Sequence, residues 1–247
     1  MNPLTTSFVA RLRARDETAW FELWEVFGPV LRIHLRRWGR GAIGAETVRD
    51  LTQETLAALS KSIDRYDPDR GARFSTWLLS IARHVLGDEI DRRMAQKRGS
   101  GKRPVEFQEA FMSRSATLEP DETYEQNIFE AKVYAAIRAA EREADFVKFQ
   151  VYQMRIFDAR SGREVAQQLD LSEPTVSRHL AQVREMLRTR LADVVATYSF
   201  TSEEQAEADR AGLGSDDRMF DDALSDIWAR QSRLVHQEQS YAFADES

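Results

Sequence analysis

Cysteine is absent from this 247-residue chain. Its absence excludes a disulfide scaffold, a thiolate zinc site and a cysteine nucleophile. It also fits an intracellular address, because nothing here needs oxidising conditions. Glycine and proline are scarce, at 11 and 6 residues, and long stretches contain neither, so the chain is expected to be mostly helix. No apolar run approaches the roughly 20 residues that span a bilayer. Met1–Asp16 carries arginines but no apolar segment and does not read as a secretory signal. The four histidines, His34, His84, His179 and His236, are scattered. None forms a pair at metal-ligand spacing, and H-E-x-x-H, G-x-S-x-G and P-loop patterns are missing. No metal, no cofactor and no catalytic group is therefore expected. What remains is enough chain for one large domain or two small ones with real cores.

The net charge of −6 conceals a segregated distribution. Met1–Pro104 carries 19 Lys and Arg against 13 Asp and Glu, whereas Val105–Asp145 carries 4 against 10. Phe146–Ser199 returns to 8 against 6, and Phe200–Ser247 falls to 4 against 12. Two basic blocks, each followed by an acidic one, are what a polyanion-binding protein with an acidic linker and tail would show. An ordinary solvated surface gives the same count, so charge alone leaves both readings open.

Periodicity places the helices. Val9, Leu12, Ala19, Trp20, Leu23, Trp24 and Phe27 keep helical spacing to Gly28–Pro29, and Val30, Ile33 and Trp38 continue it to Gly39. Gly39–Gly44 matches G-x-G-x-x-G. Its preceding Leu31–Trp38 is arginine-rich and helix-spaced rather than a buried strand, so it reads as a loop between helices. Glu46–Ser62 is amphipathic, with Val48, Leu51, Thr55 and Leu59 on one stripe. Asp64–Gly71 is a turn-rich break. Phe74–Met94 is a third helix, with Phe74, Trp77, Leu78, Ile81 and Val85 as its expected core stripe. A linker opens at Gly99–Ser100–Gly101. A second helical block runs from near Tyr124 to about Ser161–Gly162, and Arg163–Leu169 and Glu173–Val195 follow. The last amphipathic segment is Asp217–Gln239.

The strongest local pattern is Gly162–Leu180, which reads as a helix-turn-helix. Val165, Leu169, Leu171, Val176 and Leu180 supply the small core between two helices, and Ala166 permits their close crossing. Ser172 caps the second helix, and Pro174 is tolerated in a first turn, where amide protons are free. Val176, Leu180, Val183, Leu187 and Leu191 form the buried stripe. Thr175, Ser177, Arg178, His179 and Gln182 are left on or beside the outward face, with side chains suited to base edges and phosphates. Asp170 occupies the turn position that commonly holds glycine, and Asp tolerates a left-handed backbone better than most residues.

The Phe74–Arg93 segment mixes aromatics with a basic end. Arg73, Arg83, Arg92 and Arg93 could follow a phosphate backbone. The same pattern fits a core helix with a solvated basic end.

Together with Asp50–Leu56 and Tyr66–Gly71, this segment resembles region 2 of bacterial sigma factors, and among them the extracytoplasmic-function (ECF) type. The helix-turn-helix and Gln182–Leu191 resemble region 4 of that family. The resemblance covers roughly Phe8–Arg103 and Tyr124–Thr197, which leaves Phe200–Ser247 as a C-terminal extension. It implies an all-α protein: a region 2 bundle at 1–98, a linker at 99–123, region 4 at 124–199 and an acidic extension at 200–247. It further implies that Asp50, Gln53, Glu54 and Leu56 dock on bacterial core RNA polymerase. Arg73, Ser75 and Trp77 would help open promoter DNA, a step in which a flipped base needs an enclosed pocket. Arg83, His84, Asp88 and Arg92, with Arg93 beside them, would face the minus-ten element, and His84 stands where the family commonly carries asparagine. Ser172, Thr175, Ser177, Arg178, His179 and Gln182 would read the minus-thirty-five element. A cytoplasmic protein that directs transcription initiation without catalysis is the expectation.

Two rival classes remain: a helix-turn-helix regulator that never binds core polymerase, and a helical interaction adaptor. The Asp50–Glu54 helix beside an arginine-ended helix separates the first rival from a sigma factor. The extension, with Phe220, Leu224, Ile227, Trp228 and Leu234 near one helical face, has three readings: a docked helix, a solvated tail, or an intramolecular mask over basic faces. An anti-sigma factor is a further possible partner.

Overall fold

A run of 23 residues, Glu17–Gly39, forms one helix, α2, despite Pro29 in its interior. An interior proline removes an amide donor and costs about 3 kcal/mol. Leu23, Phe27, Val30, Leu31 and Leu35 are all buried on this helix, and each buried side chain of that size contributes roughly 1.5–3 kcal/mol. Burial of the stripe therefore outweighs the lost hydrogen bond. The structure is a computed structural model describing residues 3–39, 43–66, 73–98, 122–199 and 201–244. The middle of the Gly39–Gly44 pattern, most of the Tyr66–Gly71 motif and the expected linker from Gly99 to Asp121 lie outside the described residues. Among those residues every regular element is helical, and no helix is long and apolar enough to cross a membrane.

Contacts divide the chain into two compact units, residues 10–128 with 240–247 and residues 1–9 with 129–239. The first unit takes the end of α1 (Pro3–Arg13), α2, α3 (Ala45–Ser62), α4 (Phe74–Arg98) and the first turns of α5 (Glu122–Glu143). On α3 the expected stripe of Val48, Leu51, Thr55 and Leu59 is buried. The hydroxyls of the buried Thr52 and Thr55 donate to the carbonyls of Val48 and Leu51 at 2.6 and 2.7 Å, so neither is left unsatisfied.

On α4 the buried line differs from the expected one. It runs through Phe74, Leu78, Leu79, Ala82, Leu86 and Ile90, while Trp77, Ile81 and Val85 are half-buried. The line follows four-residue steps and centres on the small Ala82. A stripe chosen by side-chain size drifts off it.

The second unit holds the rest of α5, then α6 (Phe146–Tyr152), a π-helical turn (Gln153–Phe157), α7 (Gly162–Leu169) and α8 (Glu173–Tyr198). Short helices α9 (Ser202–Gln205) and α10 (Glu207–Arg210) lead into α11 (Asp217–Ala244), which belongs to this unit as far as Gln239. The expected continuous helix from Tyr124 to Ser161 is broken after Glu143. The Asp145 carboxylate accepts from the amides of Val147 and Lys148 and starts a new helix there. The run ends at Phe157, and Ala159 takes a positive φ of 54°.

The turn between α7 and α8 follows the sequence closely. Ser161 and Glu164 form a reciprocal capping box at the start of α7. Asp170 adopts the left-handed conformation, φ 53° and ψ 47°, and Ser172 caps α8 by accepting from the Thr175 amide. An Asp at such a φ is strained relative to Gly. Asp170→Gly is therefore expected to leave stability unchanged or raise it slightly, whereas the β-branched Asp170→Val should cost about 1–2 kcal/mol. Urea denaturation of both variants checks this.

Two apolar clusters organise the unit. The smaller joins Val165, Ala166 and Val176 to Val151 and Met154, with Leu169 and Leu171 packed beside them. Leu180, expected in this small core, packs against the larger cluster instead. That cluster contains Val133 and Ile137 of α5, Phe149 and Tyr152 of α6, Val183, Leu187 and Leu191 of α8, and Phe220, Leu224 and Ile227 of α11. Trp228 stacks on Phe157 with centroids 4.6 Å apart. The first residues of the chain also join this unit. Thr5 Oγ1 donates to the carbonyls of Ala196 and Ser199, and Phe8 meets Tyr198 edge-on at 4.9 Å.

Candidate functional site

Three surfaces carry the residues singled out from sequence, two on the first unit and one on the second. On α3, burial of Val48, Leu51, Thr55 and Leu59 turns the opposite face outward. Asp50, Gln53 and Glu54 are exposed there, at the three- and four-residue steps that place them side by side, and Leu56 is half-buried at the edge. Two carboxylates and an amide make a polar, net-acidic patch. Such a patch suits a basic protein surface and gains specificity from charge complementarity.

The α4 residues divide into an outward row and an inward group. His84, Asp88 and Arg92 lie at four-residue steps and are all exposed. Glu89 is buried beneath them and forms ion pairs with both Arg92 and Arg93. Burial alone would raise the Glu89 carboxyl, but the hydrogen bonds from Arg93 and Arg92 outweigh it and hold the carboxyl below its ordinary range. Arg93 also donates to Thr47 Oγ1 at 2.8 Å. The basic end of α4 is thus positioned by a buried anion rather than being a loose solvated fringe.

Arg73, Ser75, Trp77 and Arg83 do not share that outward row. Phe74 anchors the start of α4 in the core, against Phe27 at 5.5 Å and Tyr66 at 5.3 Å. Trp77 stacks on Tyr66 at 5.0 Å with the rings inclined by 19°. Arg83 lies over the Trp38 ring, 4.8 Å from its centre. Its Nη1 is buried without a hydrogen-bond partner, and burial pushes the guanidinium down from its ordinary value. An arginine held by a ring face but short of one acceptor is suited to a further electron-rich partner.

Sequence reasoning missed the segment that packs on this group. Tyr124 is fully buried and donates to the Ser75 carbonyl at 3.0 Å. It meets His34 edge-on at 4.9 Å. Burial, and then the nearby Glu125 charge, keep its phenol well above the ordinary value, so it remains a donor. The Glu125 carboxylate receives the Arg73 guanidinium at 3.0 Å, and the Ser75 hydroxyl lies 3.0 Å from both of its oxygens. The only advance signal was the acidic composition of Val105–Asp145, which names no partner.

On the second unit, Ser172, Ser177, Arg178 and Gln182 are exposed, and Thr175 and His179 are half-buried. Ser172 Oγ and Thr175 Oγ1 are 2.8 Å apart, and Arg178 donates to Thr175 Oγ1 at 3.2 Å. His179 Nδ1 is buried with no hydrogen-bond partner. These groups occupy the first turns of α8. Further along α8, Arg184 pairs with Asp221 at 2.6 Å and Asp217 at 2.7 Å, and Arg188 reaches Asp217 at 3.3 Å. Arg188 also lies over the Phe220 ring at 4.1 Å. The acidic start of α11 thus engages these two arginines while the polar residues at the start of α8 stay exposed.

Among the described residues no group of three His, Asp or Glu side chains is placed to hold a metal ion. No curated protein matches the chain. Residues 23–96, which run from within α2 to near the end of α4, match the family model described as Sigma-70 region 2, and this similarity supports a sigma factor role in promoter-specific transcription.

Proposed function

We propose that the chain is a sigma factor of the ECF type with a C-terminal extension. It binds bacterial core RNA polymerase in the cytoplasm and directs promoter-specific initiation, including promoter melting, without catalytic residues of its own. The observation that carries this reading is the Sigma-70 region 2 match over residues 23–96, which spans both the acidic α3 patch and the basic end of α4. In this reading, residues 1–98 are region 2, 99–123 the linker, 124–199 region 4 and 200–247 the extension.

Asp50, Gln53, Glu54 and Leu56 dock on core polymerase. The aromatic start of α4, with Arg73, Ser75 and Trp77, holds opened DNA. Arg83, His84, Asp88, Arg92 and Arg93 face the minus-ten element. Ser172, Thr175, Ser177, Arg178, His179 and Gln182 read the minus-thirty-five element. The exposed arginine at the start of α8 and the small polar groups around it support that last assignment, because arginine is bidentate to guanine and hydroxyls adapt to either base.

Run-off transcription with purified bacterial core polymerase and genomic DNA fragments tests the whole reading. Promoter-dependent transcripts that require the chain are expected. A chain that shifts DNA but yields no transcript with core would be a plain DNA-binding regulator. On a promoter recovered this way, Arg178→Ala should weaken binding at the upstream element by about 1–3 kcal/mol, the worth of one bidentate arginine–guanine pair. Permanganate footprinting should show the melted bases unchanged once binding is saturated.

A further inference from the structure

The Glu125 carboxylate sits where an anion is gripped by two donors that the proposed function assigns to DNA. Arg73 is a planar fork that accepts a carboxylate or a phosphodiester equally well, since both present two oxygens and one negative charge. Ser75 is fully buried, and its single hydroxyl proton is shared between the two Glu125 oxygens, each 3.0 Å away. The arginine and glutamate side chains retain 17% and 16% exposure. The pair is therefore neither sealed into the core nor loose on the surface, and a competing anion in solvent can reach it.

The segment that delivers Glu125 is held independently of it. Tyr124 is fully buried and bonded to the Ser75 carbonyl, and Asn127 approaches His34 at 3.5 Å. Exchange of the anion thus requires only that the Glu125 side chain rotate away, with the backbone around it staying in place.

We infer that Arg73 and Ser75 form a phosphodiester-binding site for single-stranded DNA, and that Glu125 occupies it as an intramolecular stand-in which the DNA backbone must displace. This rests on the reading that the start of α4 touches opened DNA. The stand-in makes binding conditional: a stray phosphate competes poorly with a tethered carboxylate, whereas a strand already held at several other points gains one more contact. Observed affinity is reduced by the fraction of molecules in which the site is filled from within. The contact is to the backbone, so the effect is independent of base sequence.

The test uses the full chain and a short fluorescein-labelled single-stranded DNA of mixed sequence, followed by fluorescence anisotropy across a salt series. Glu125→Gln keeps the shape and removes the charge. It is expected to tighten binding by about threefold to tenfold. It should also steepen the dependence of log affinity on log salt by about 0.7, the value for one added phosphate contact on a single strand. Glu125→Asp keeps the charge but shortens its reach, and should give a smaller gain. Arg73→Ala in the Glu125→Gln background should cancel the gain. Thermal melting of each variant verifies that it is folded, and the Glu125→Asp protein carries the test if the Gln variant melts early. If neither Glu125 variant tightens binding while Arg73→Ala still weakens it, the stand-in is overturned and the proposed function stands. If Arg73→Ala has no effect in either background, Arg73 does not contact DNA, and both the site and that part of the functional reading fall.

Discussion

Reversing Asp50 and Glu54 together to lysine is expected to abolish capture of bacterial core RNA polymerase. Both side chains are exposed on α3, on the face opposite its buried stripe, so the substitutions leave the helix packing intact. Facing a basic partner surface, each reversal replaces an attraction with a like-charge contact, and such contacts cost several kcal/mol. Two of them should lower affinity by about a hundredfold or more, beyond the range of an ordinary pull-down. Far-UV circular dichroism should be unchanged. A control reversal of Glu17, exposed at the start of α2 and off the α3 patch, should have a much smaller effect. Core binding that survives the Asp50/Glu54 pair would remove α3 from the polymerase interface.

The second large effect concerns stability. Lys132 on α5 and Glu204 on α9 form an ion pair at 3.4 Å with 1% and 2% side-chain exposure. Two charges removed from water gain little net stability together, but either one alone is severely penalised. Lys132→Ala is expected to cost about 3 kcal/mol, at the low end of the roughly 3–5 kcal/mol typical of a broken buried pair. The low end applies because Glu204 keeps the Thr201 amide at 2.9 Å and its hydroxyl at 3.2 Å. Removing both charges while keeping an acceptor for the Thr201 amide, Lys132→Met with Glu204→Gln, should restore most of that loss. Denaturant titration distinguishes the two proteins. If the single substitution costs under about 1 kcal/mol, the charge is hydrated in solution.

Much of this molecule could be read from the chain, and the unread parts share a physical character. Helical periodicity located α3 and its stripe because every residue in that stripe answers to the same buried neighbours. The turn at Asp170–Ser172 and its Ser172 cap were legible, since caps and turn backbones are set by residues a few positions apart, whereas the choice of a left-handed backbone at Asp170 came from the structure. By contrast, Val151 and Met154 were missed as partners of the α7–α8 pair. They lie on another helix and have no spacing relation to it. The same holds for Glu125 with Arg73 and for Lys132 with Glu204, which are brought together by tertiary packing alone. The α4 stripe was misplaced because an alanine carries little hydrophobic signal, yet Ala82 is fully buried at its centre.

The tail was only half legible. Its amphipathic face was visible in Phe220, Leu224 and Ile227, but a face does not name what it covers. The structure supplies Val133, Phe149 and Leu187 as members of the same cluster. It also supplies a polar frame: Tyr152 donates to Asp221 at 2.9 Å, and Glu130 receives Arg230 and Gln231 at 2.9 and 3.2 Å.

An α-helix advances about 100° per residue, and a π-helical turn absorbs one residue beyond that rhythm. At Gln153–Phe157 this extra residue resets the angular phase of a short segment that serves two clusters at once. Val151 and Met154 face the α7–α8 pair, while Phe149, Tyr152, Ile156 and Phe157 face the cluster built with α11. Deleting a single residue there would rotate everything after it by about 100° and exchange these allegiances. Phe157 would leave Trp228, and the Ile156 carbonyl would leave the Ser225 hydroxyl that it accepts from at 3.2 Å. The stretch therefore tolerates swaps of similar volume far better than any change of length.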